Sequence, residues 1–232
     1  MLIYLHIARL VMSNIITDFI MKAPNKKAIG YSAMTLSYHL PSQRIRIVYH
    51  GGERASWEKL IDLVYSLPEL LDHPLLLPVL AFVAHEHRTR LYRDKIDDQL
   101  WQVERDTGYG VAGTLTGPSS RLTKRQFDIE SALVRLQSCQ TELASVSHVL
   151  RYNEDYGQFL VESIEKLDGI YQANGQDELD LSYEKLIHLL ELPRNQTHVA
   201  LSQVQSLKER AQSQTSLVRQ HYLALIITFP LT

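Results

Sequence analysis

Cysteine is nearly absent from this chain: Cys139 is the only one in 232 residues. A lone thiol closes no intrachain disulfide and supplies no Cys-rich zinc module, so the chain reads as a protein of an intracellular compartment. Its expected mid-helix position makes Cys139 a small helix-face residue and not a reactive thiol. An excess of either charge is also missing. Lys and Arg total 24 and Asp and Glu 26, a formal net charge of -2. That balance argues against a general nucleic-acid binder, which carries a basic face. A complete apolar run of about 20 residues, the length that spans a bilayer, is missing too. The N-terminal MLIYLHIARLVMSNIITDFIM is interrupted by His6, Arg9, Asn14 and Asp18 and offers no small-residue cleavage site. The final YLALIITFPLT is strongly apolar from Tyr222 to Phe229. It reads as a buried tail, an interfacial contact or a membrane segment cut short.

Catalytic motifs are equally scarce. The glycine-rich GYGVAGTLTGPSS follows no strand and carries no Lys-Ser/Thr pair, so it reads as an interhelical connection and not a phosphate loop. The densest metal-capable cluster is His85, Glu86 and His87, with His73 upstream. Histidines two residues apart diverge by about 200° around a helix, whereas a helical zinc site needs them four apart. The cluster therefore reads as solvent-face helix residues. Glu130 with Glu142, and Glu154 with Asp155, Glu162 and Glu165, read as surface charge. Glu184 and His188 are one residue too far apart for the Glu-x-x-His of a di-metal bundle. No Gly-x-Ser-x-Gly elbow or Cys/His pair occurs. Arg88, Arg90, Arg93 and Lys95 are interleaved with Asp94, Asp97 and Asp98, which mainly provides solvation and weak pairs. Arg44 and Arg46 beside Tyr49 form a smaller basic spot, suited to an anionic lipid or a partner. No catalytic or cofactor-binding residue is assigned, and no metal ligand.

What is present is helix. Two stretches, about 76–105 and 123–171, contain almost no loop residues and exceed the usual helix of about 11 residues. Apolar stripes of that length must pack along one another or along a partner. Along the second, Ile129, Leu133, Leu136, Leu143, Val146, Leu150, Leu160, Ile164, Leu167 and Tyr171 recur in threes and fours behind a capping box at Thr123 and Gln126. Gln140, Asn153 and Gly157 interrupt the stripe, so the register is expected to drift as in an antiparallel bundle, with Gly157 the site of a bend or close approach. Asp72 or His73 is the expected cap of the first stretch, Asp72 being the better acceptor, with Pro74 in its first turn and regular helix only from Pro78. Ser56 is the expected cap of a shorter helix that Pro68 kinks or ends. Asp180 or Ser182 opens another helix closed by Pro193, and Asn195 caps a last one. Residues 1–21 read as a helix, and RIRIVYHGG as a strand paired with YSAMTLSYHL. The chain is thus mainly α: long antiparallel helices in an elongated bundle, with a small N-terminal α/β portion containing one or two short strands. It divides as 1–70, 71–222 and an apolar tail, 223–232.

A Trp-bearing helix, then LDHPLLLPVLAFVAHEHR, then a charged stretch ending VERDTGYG, is an order that resembles the soluble region of fungal proteins similar to CorA-type magnesium transporters. Those relatives carry an Asp-His-Pro or similar turn before a leucine-rich start, a long polar helical hairpin and a Gln-rich final helix. LKERAQSQTSLV looks like the stretch that precedes their membrane segments. The resemblance covers roughly residues 40–220. Ion-transporting members add two membrane helices, with Gly-Met-Asn at the end of the first. Neither occurs here, so no conducting-site residue is carried over. The resemblance implies a non-enzymatic cytoplasmic domain, scaffold or regulatory and not itself a channel, in the cytoplasm or on the cytoplasmic side of a membrane. It implies Mg2+ at acidic side chains of subunit contacts, without assigning residues, and a protein partner or homo-oligomer. Membrane contact is expected only if the C-terminus is truncated. The alternative is a soluble intracellular protein–protein interaction module with no link to ion transport. A hydrolase or transferase built on His73, His85 or Glu86 requires those side chains to converge in a pocket.

Overall fold

Period-two alternation builds the first part of the fold. The computed structural model describes residues 16–22, 29, 32–39, 42–51, 54–107, 128–173 and 180–228. Strands β1 (Ile16–Lys22), β2 (Ser32–His39) and β3 (Arg44–Gly51) form an antiparallel sheet in the order β1-β2-β3. Met34, Leu36 and Tyr38 of β2 are buried, and their register partners Tyr49, Ile47 and Ile45 are half-buried on the same face. Arg44, Arg46, Val48 and His50 take the other face and are exposed. The expected strand and its partner are found as β3 and β2. The expected helix over residues 1–21 is not: β1 occupies its second part, and the sheet has three strands where one or two were expected. Ile16, Thr17 and Ile20 are β-branched, and pairing along seven residues of β2 satisfies the row of β1 backbone groups that faces it. Residues 1–15 lie outside the described residues.

Helix α1 (Arg54–Tyr65) begins two residues before Ser56, so Ser56 is not its cap. It ends ahead of Pro68, which opens a short 3-10 turn, Pro68–Leu70. Of the two cap candidates ahead of α2 (Leu76–Thr107), His73 is the one whose side chain is engaged, its Nδ1 accepting the Leu75 N–H at 3.1 Å just before the first helical residue. Pro78 is the third residue of α2, where its missing N–H costs no helical bond, so the helix starts before it. Helix α3 (Ile129–Ala173) starts at Asp128, whose Oδ1 accepts the Ser131 N–H at 3.0 Å. The expected cap at Thr123 and the glycine-rich connection fall outside the described residues. Helix α4 (Asp180–Thr228) runs 49 residues through Pro193, which neither ends it nor separates a last helix at Asn195. An interior proline costs about 3 kcal/mol. Pro193 is itself buried, with buried Leu190 and Thr197 on either side, and this packing holds the helix together.

The seam of α3 is stricter than its leucines suggest. Ala132, Leu136, Cys139, Leu143, Val146, Leu150, Asn153, Gly157, Leu160, Ile164, Leu167 and Tyr171 are all buried, in alternating steps of four and three. Helix α4 repeats the pattern from Leu186 to Val218, with Pro193, Thr197 and Gln214 among its positions. The expected drift of register is therefore corrected. Polar and small residues fill a/d positions of an unbroken heptad and hide it from a reading of leucines alone.

Two compact units share the chain: residues 1–89 with 149–198, and residues 90–148 with 199–232. In the first, the sheet's inner face, α1 and segments of the three long helices enclose one core, including Leu36, Leu60, Phe82, Ile164 and Leu186. The Tyr171 O–H donates to the Tyr38 oxygen at 2.7 Å and so ties α3 to β2. In the second, Ile96, Leu100, Leu143, Val146 and Val204 are buried. There Arg210 of α4 donates to Glu104 at 2.8 and 3.1 Å and to Asp97 at 2.8 Å. In the first unit α3 runs antiparallel to α2, by the pairs Pro78–Tyr156 and His85–Asn153, and to α4, by Glu154–His198 and Gln158–Arg194. In the second it runs antiparallel to α2, by Tyr92–Glu142 and Gln102–Arg135.

Candidate functional site

The polar centre of the first unit lies where the α2 and α3 seams carry hydrophilic residues. Along α2 the step from Phe82 to Glu86 to Thr89 puts His85 and Glu86 on the packed side, each only 2% exposed. This overturns their expected solvent-face placement. His87 is exposed, as the divergence of alternate helix positions requires. Facing His85 from α3 is Asn153, fully buried, with its Oδ1 at 2.9 Å from His85 Nδ1. With that oxygen accepting, the neutral imidazole keeps its proton on Nδ1. Thr89 turns its hydroxyl back to the His85 carbonyl at 2.8 Å. The Tyr152 ring meets the imidazole edge-on at 6.3 Å, and Tyr156 donates to the Pro78 carbonyl at 3.2 Å.

Burial holds the His85 pKa down at about 4, assisted by the nearby Arg88 cation and opposed by the Asn153 hydrogen bond. His73, buried and engaged as a cap, is likewise lowered to about 4 by burial. Both rings are neutral near pH 7. The tyrosines are pushed up, Tyr152 by burial alone and Tyr156 chiefly by burial. His85 Nε2, Asn153 Nδ2 and Arg88 Nε have no protein partner among the described residues. One turn further along α3, Gly157 admits a close crossing. A Cβ there would lie 2.9 Å from Arg194 Cγ and 3.1 Å from Phe82 Cζ. The close approach expected at Gly157 is present.

The other sequence candidates do not converge. Among the described residues no group of three or more His, Cys, Asp or Glu side chains could hold a metal ion. Glu142 accepts from Tyr92 at 2.9 Å and from Ser138 at 3.0 Å, and burial with this bond pushes the Tyr92 phenol up to about 12. Glu130, Glu154, Asp155, Glu162 and Glu165 are exposed. His188 lies 3.2 Å from Glu191, on its own helix, instead of pairing with Glu184. Arg93 pairs with Asp94 and donates to Gln203. Cys139 is buried in the seam, and burial raises its thiol pKa, so thiolate is disfavoured. Asn153 is marked in the sequence only as an interruption of the leucine stripe, and Thr89, Tyr152 and Tyr156 are not marked at all. The place of Asn153 in the four-and-three spacing was the available signal. Among the described residues no helix is long and apolar enough to cross a membrane. No protein-family profile and no curated protein matches the chain.

Proposed function

We propose that the chain is a non-enzymatic helical scaffold, of the kind that forms the cytoplasmic region of CorA-like divalent metal-ion transporters, regulatory or architectural and not itself a channel. The observation that carries the reading is the order of elements: a small antiparallel sheet, a Trp-bearing helix, then helices of 32, 45 and 49 residues with hydrophobic seams and charged outer faces. The buried polar groups favour holding helices in register over chemistry. His73 acts as a cap, His85 and Asn153 lock α2 to α3, and Arg210 bridges two carboxylates of α2. Sedimentation and thermal unfolding of the full chain, with and without millimolar magnesium, test it. A transporter-related scaffold self-associates or gains thermal stability with Mg2+, because an ion bound only to the assembled fold stabilises it by mass action. A monomer indifferent to magnesium removes the transporter link.

A second reading, a protein–protein interaction module unrelated to ion transport, is favoured by large apolar side chains left exposed on the helices. Trp101 is 49% exposed, Leu192 63% and Val134 68%. Single exposed apolar residues are ordinary, so their weight depends on a partner that covers them. Magnesium-independent self-association that substitution of these residues abolishes would select this reading.

A further inference from the structure

Among the described residues the outer edge of β3 is unpaired, and its side chains alternate in character. β3 pairs with β2 through one row of its backbone groups, and no further strand pairs with β3 among the described residues. In an antiparallel ladder, alternate residues turn their N–H and C=O away from the partner and present a second row to any incoming strand. On one face of this edge stand Arg44, Arg46, Val48 and His50, all exposed. On the other stand Ile45, Ile47 and Tyr49, packed against the core yet only half-buried, with Tyr49 stacked on Trp57 at 4.9 Å.

Arg44 and Arg46 are two residues apart on one face, roughly 7 Å, and neither makes an ion pair among the described residues. Their register partners are His39 and Ser37. The Ser42 N–H reaches His39 Nδ1 at 3.3 Å, which makes Nδ1 the acceptor and leaves the ring proton on Nε2. The nearest acidic register position, Asp18, lies in β1, two strands from the edge. A local cationic strip on a chain of net charge -2 is not a product of overall composition.

We propose that the outer edge of β3 docks an extended peptide in which acidic and apolar residues alternate. An added strand has the same period of two as its host, so its carboxylates fall beside Arg44 and Arg46 while its apolar residues fall beside Ile45 and Ile47 and complete their burial. Main-chain bonds give affinity, and the two faces give selectivity. An anionic bilayer would use the arginines and leave the backbone edge and the isoleucines unused. A second copy of β3 would crowd four arginines onto one short strip. The competing account is that the arginines merely guard the edge against self-pairing.

Fluorescence anisotropy of the full chain with a labelled eight-residue peptide alternating glutamate and valine tests the proposal. Saturable binding is expected, weakened about tenfold or more by the double substitution Arg44→Glu with Arg46→Glu. It should be lost when alternate backbone amides of the peptide are N-methylated or when lysine replaces its glutamates. Far-UV circular dichroism and Trp57 emission should be unchanged by the double substitution, because both arginines are exposed. Absence of saturable binding overturns the proposal, and so does equal binding of the N-methylated peptide. Binding to phosphatidylserine vesicles in place of the peptide, lost with the same substitutions, overturns it in favour of a membrane. Self-association of the Arg44→Ser, Arg46→Ser protein without peptide binding by the native chain leaves only the guarding role.

Discussion

Acidification should loosen the first unit well before its carboxylates are protonated, and His85 should account for a definable share of the effect. Its pKa falls from 6.5 to about 4 on folding, because a charged imidazole would be buried beside Arg88. The sign follows from linkage. The folded value lies below the unfolded one, so between pH 6.5 and 4 the unfolded chain binds the proton that the folded chain refuses. The stability of the neutral ring is therefore fully present above pH 6.5 and is lost as pH falls toward 4. The difference amounts to roughly 3 kcal/mol for His85 at about 1.4 kcal/mol per pKa unit. His73, lowered to about 4 from 6.5 by burial, adds a contribution of the same sign and order.

The two tryptophans make the assay local. Trp57 belongs to the first unit, where it stacks on Tyr49, and Trp101 belongs to the second, with Arg105 5.0 Å from its ring. In a Trp101→Phe background, urea unfolding followed by Trp57 emission reads the first unit. Between pH 6.5 and 4.5 its unfolding free energy should fall by up to roughly 1.4 kcal/mol per pH unit for each of the two histidines. His85→Gln keeps a group able to bond Asn153 but cannot take up a proton, so the slope should drop by about half. The variant should lose only about 1 kcal/mol at pH 7.5. The same slope in both proteins, or a flat profile in the native one, would refute the assignment of the burial cost to His85.

Three further outcomes follow from the packing. Gly157→Leu should destabilise the first unit by about 3 kcal/mol or more, since even a Cβ would lie 3.1 Å from Phe82 Cζ; Gly169→Ala, with nothing within 4 Å, should stabilise by about 0.5–1 kcal/mol in thermal melts. Arg210→Met leaves Glu104, whose side chain is 6% exposed, buried without its main cation and should cost about 3 kcal/mol by Trp101 emission, whereas Asp97→Asn at a half-exposed site should cost under about 1 kcal/mol. Asn153→Leu alone should cost about 1–3 kcal/mol by urea unfolding because it strands the His85 Nδ1–H, and adding His85→Leu should recover most of that loss.

Element type along the long helices was legible because burial there follows a single period. What the sequence concealed has identifiable causes. An apolar segment with few polar interruptions fits either period until its partner strand is known, and β2 supplies that partner to β1. Propensity alone makes Pro193 a terminus, whereas burial on both of its neighbouring turns outweighs the lost bond. Spacing unsuited to a zinc site leaves His85 and Glu86 as solvent-face residues when the sequence is read alone. Their burial is set by Phe82 and Thr89, which belong to the same seam. Of the polar centre, the sequence marked His85 and the Asn153 interruption separately. It could not join them, since 68 residues separate the pair.

The placement of hydrophilic residues in the seams carries an argument about why they are there. An apolar residue at Asn153 would pack more favourably in isolation, since among the described residues Asn153 Nδ2 and His85 Nε2 have no protein partner. A heptad with only apolar fillers, however, permits α2 and α3 to slide by seven residues with little change in buried surface. A polar residue at one such position makes every other register leave both groups unpaired. The pair His85–Asn153 meets only when α2 and α3 are aligned as observed, and the crossing at Gly157 admits Arg194 only at that same level. In the second unit, Arg210 reaches Glu104 and Asp97 together only in one alignment of α4 on α2. Long helices with repetitive seams gain one structure from these few specific contacts, at a cost in stability that the many apolar layers offset. His85 both fixes the register of α2 on α3 and carries the burial cost that acidification exposes, so its share of the pH dependence reads helix alignment in the first unit.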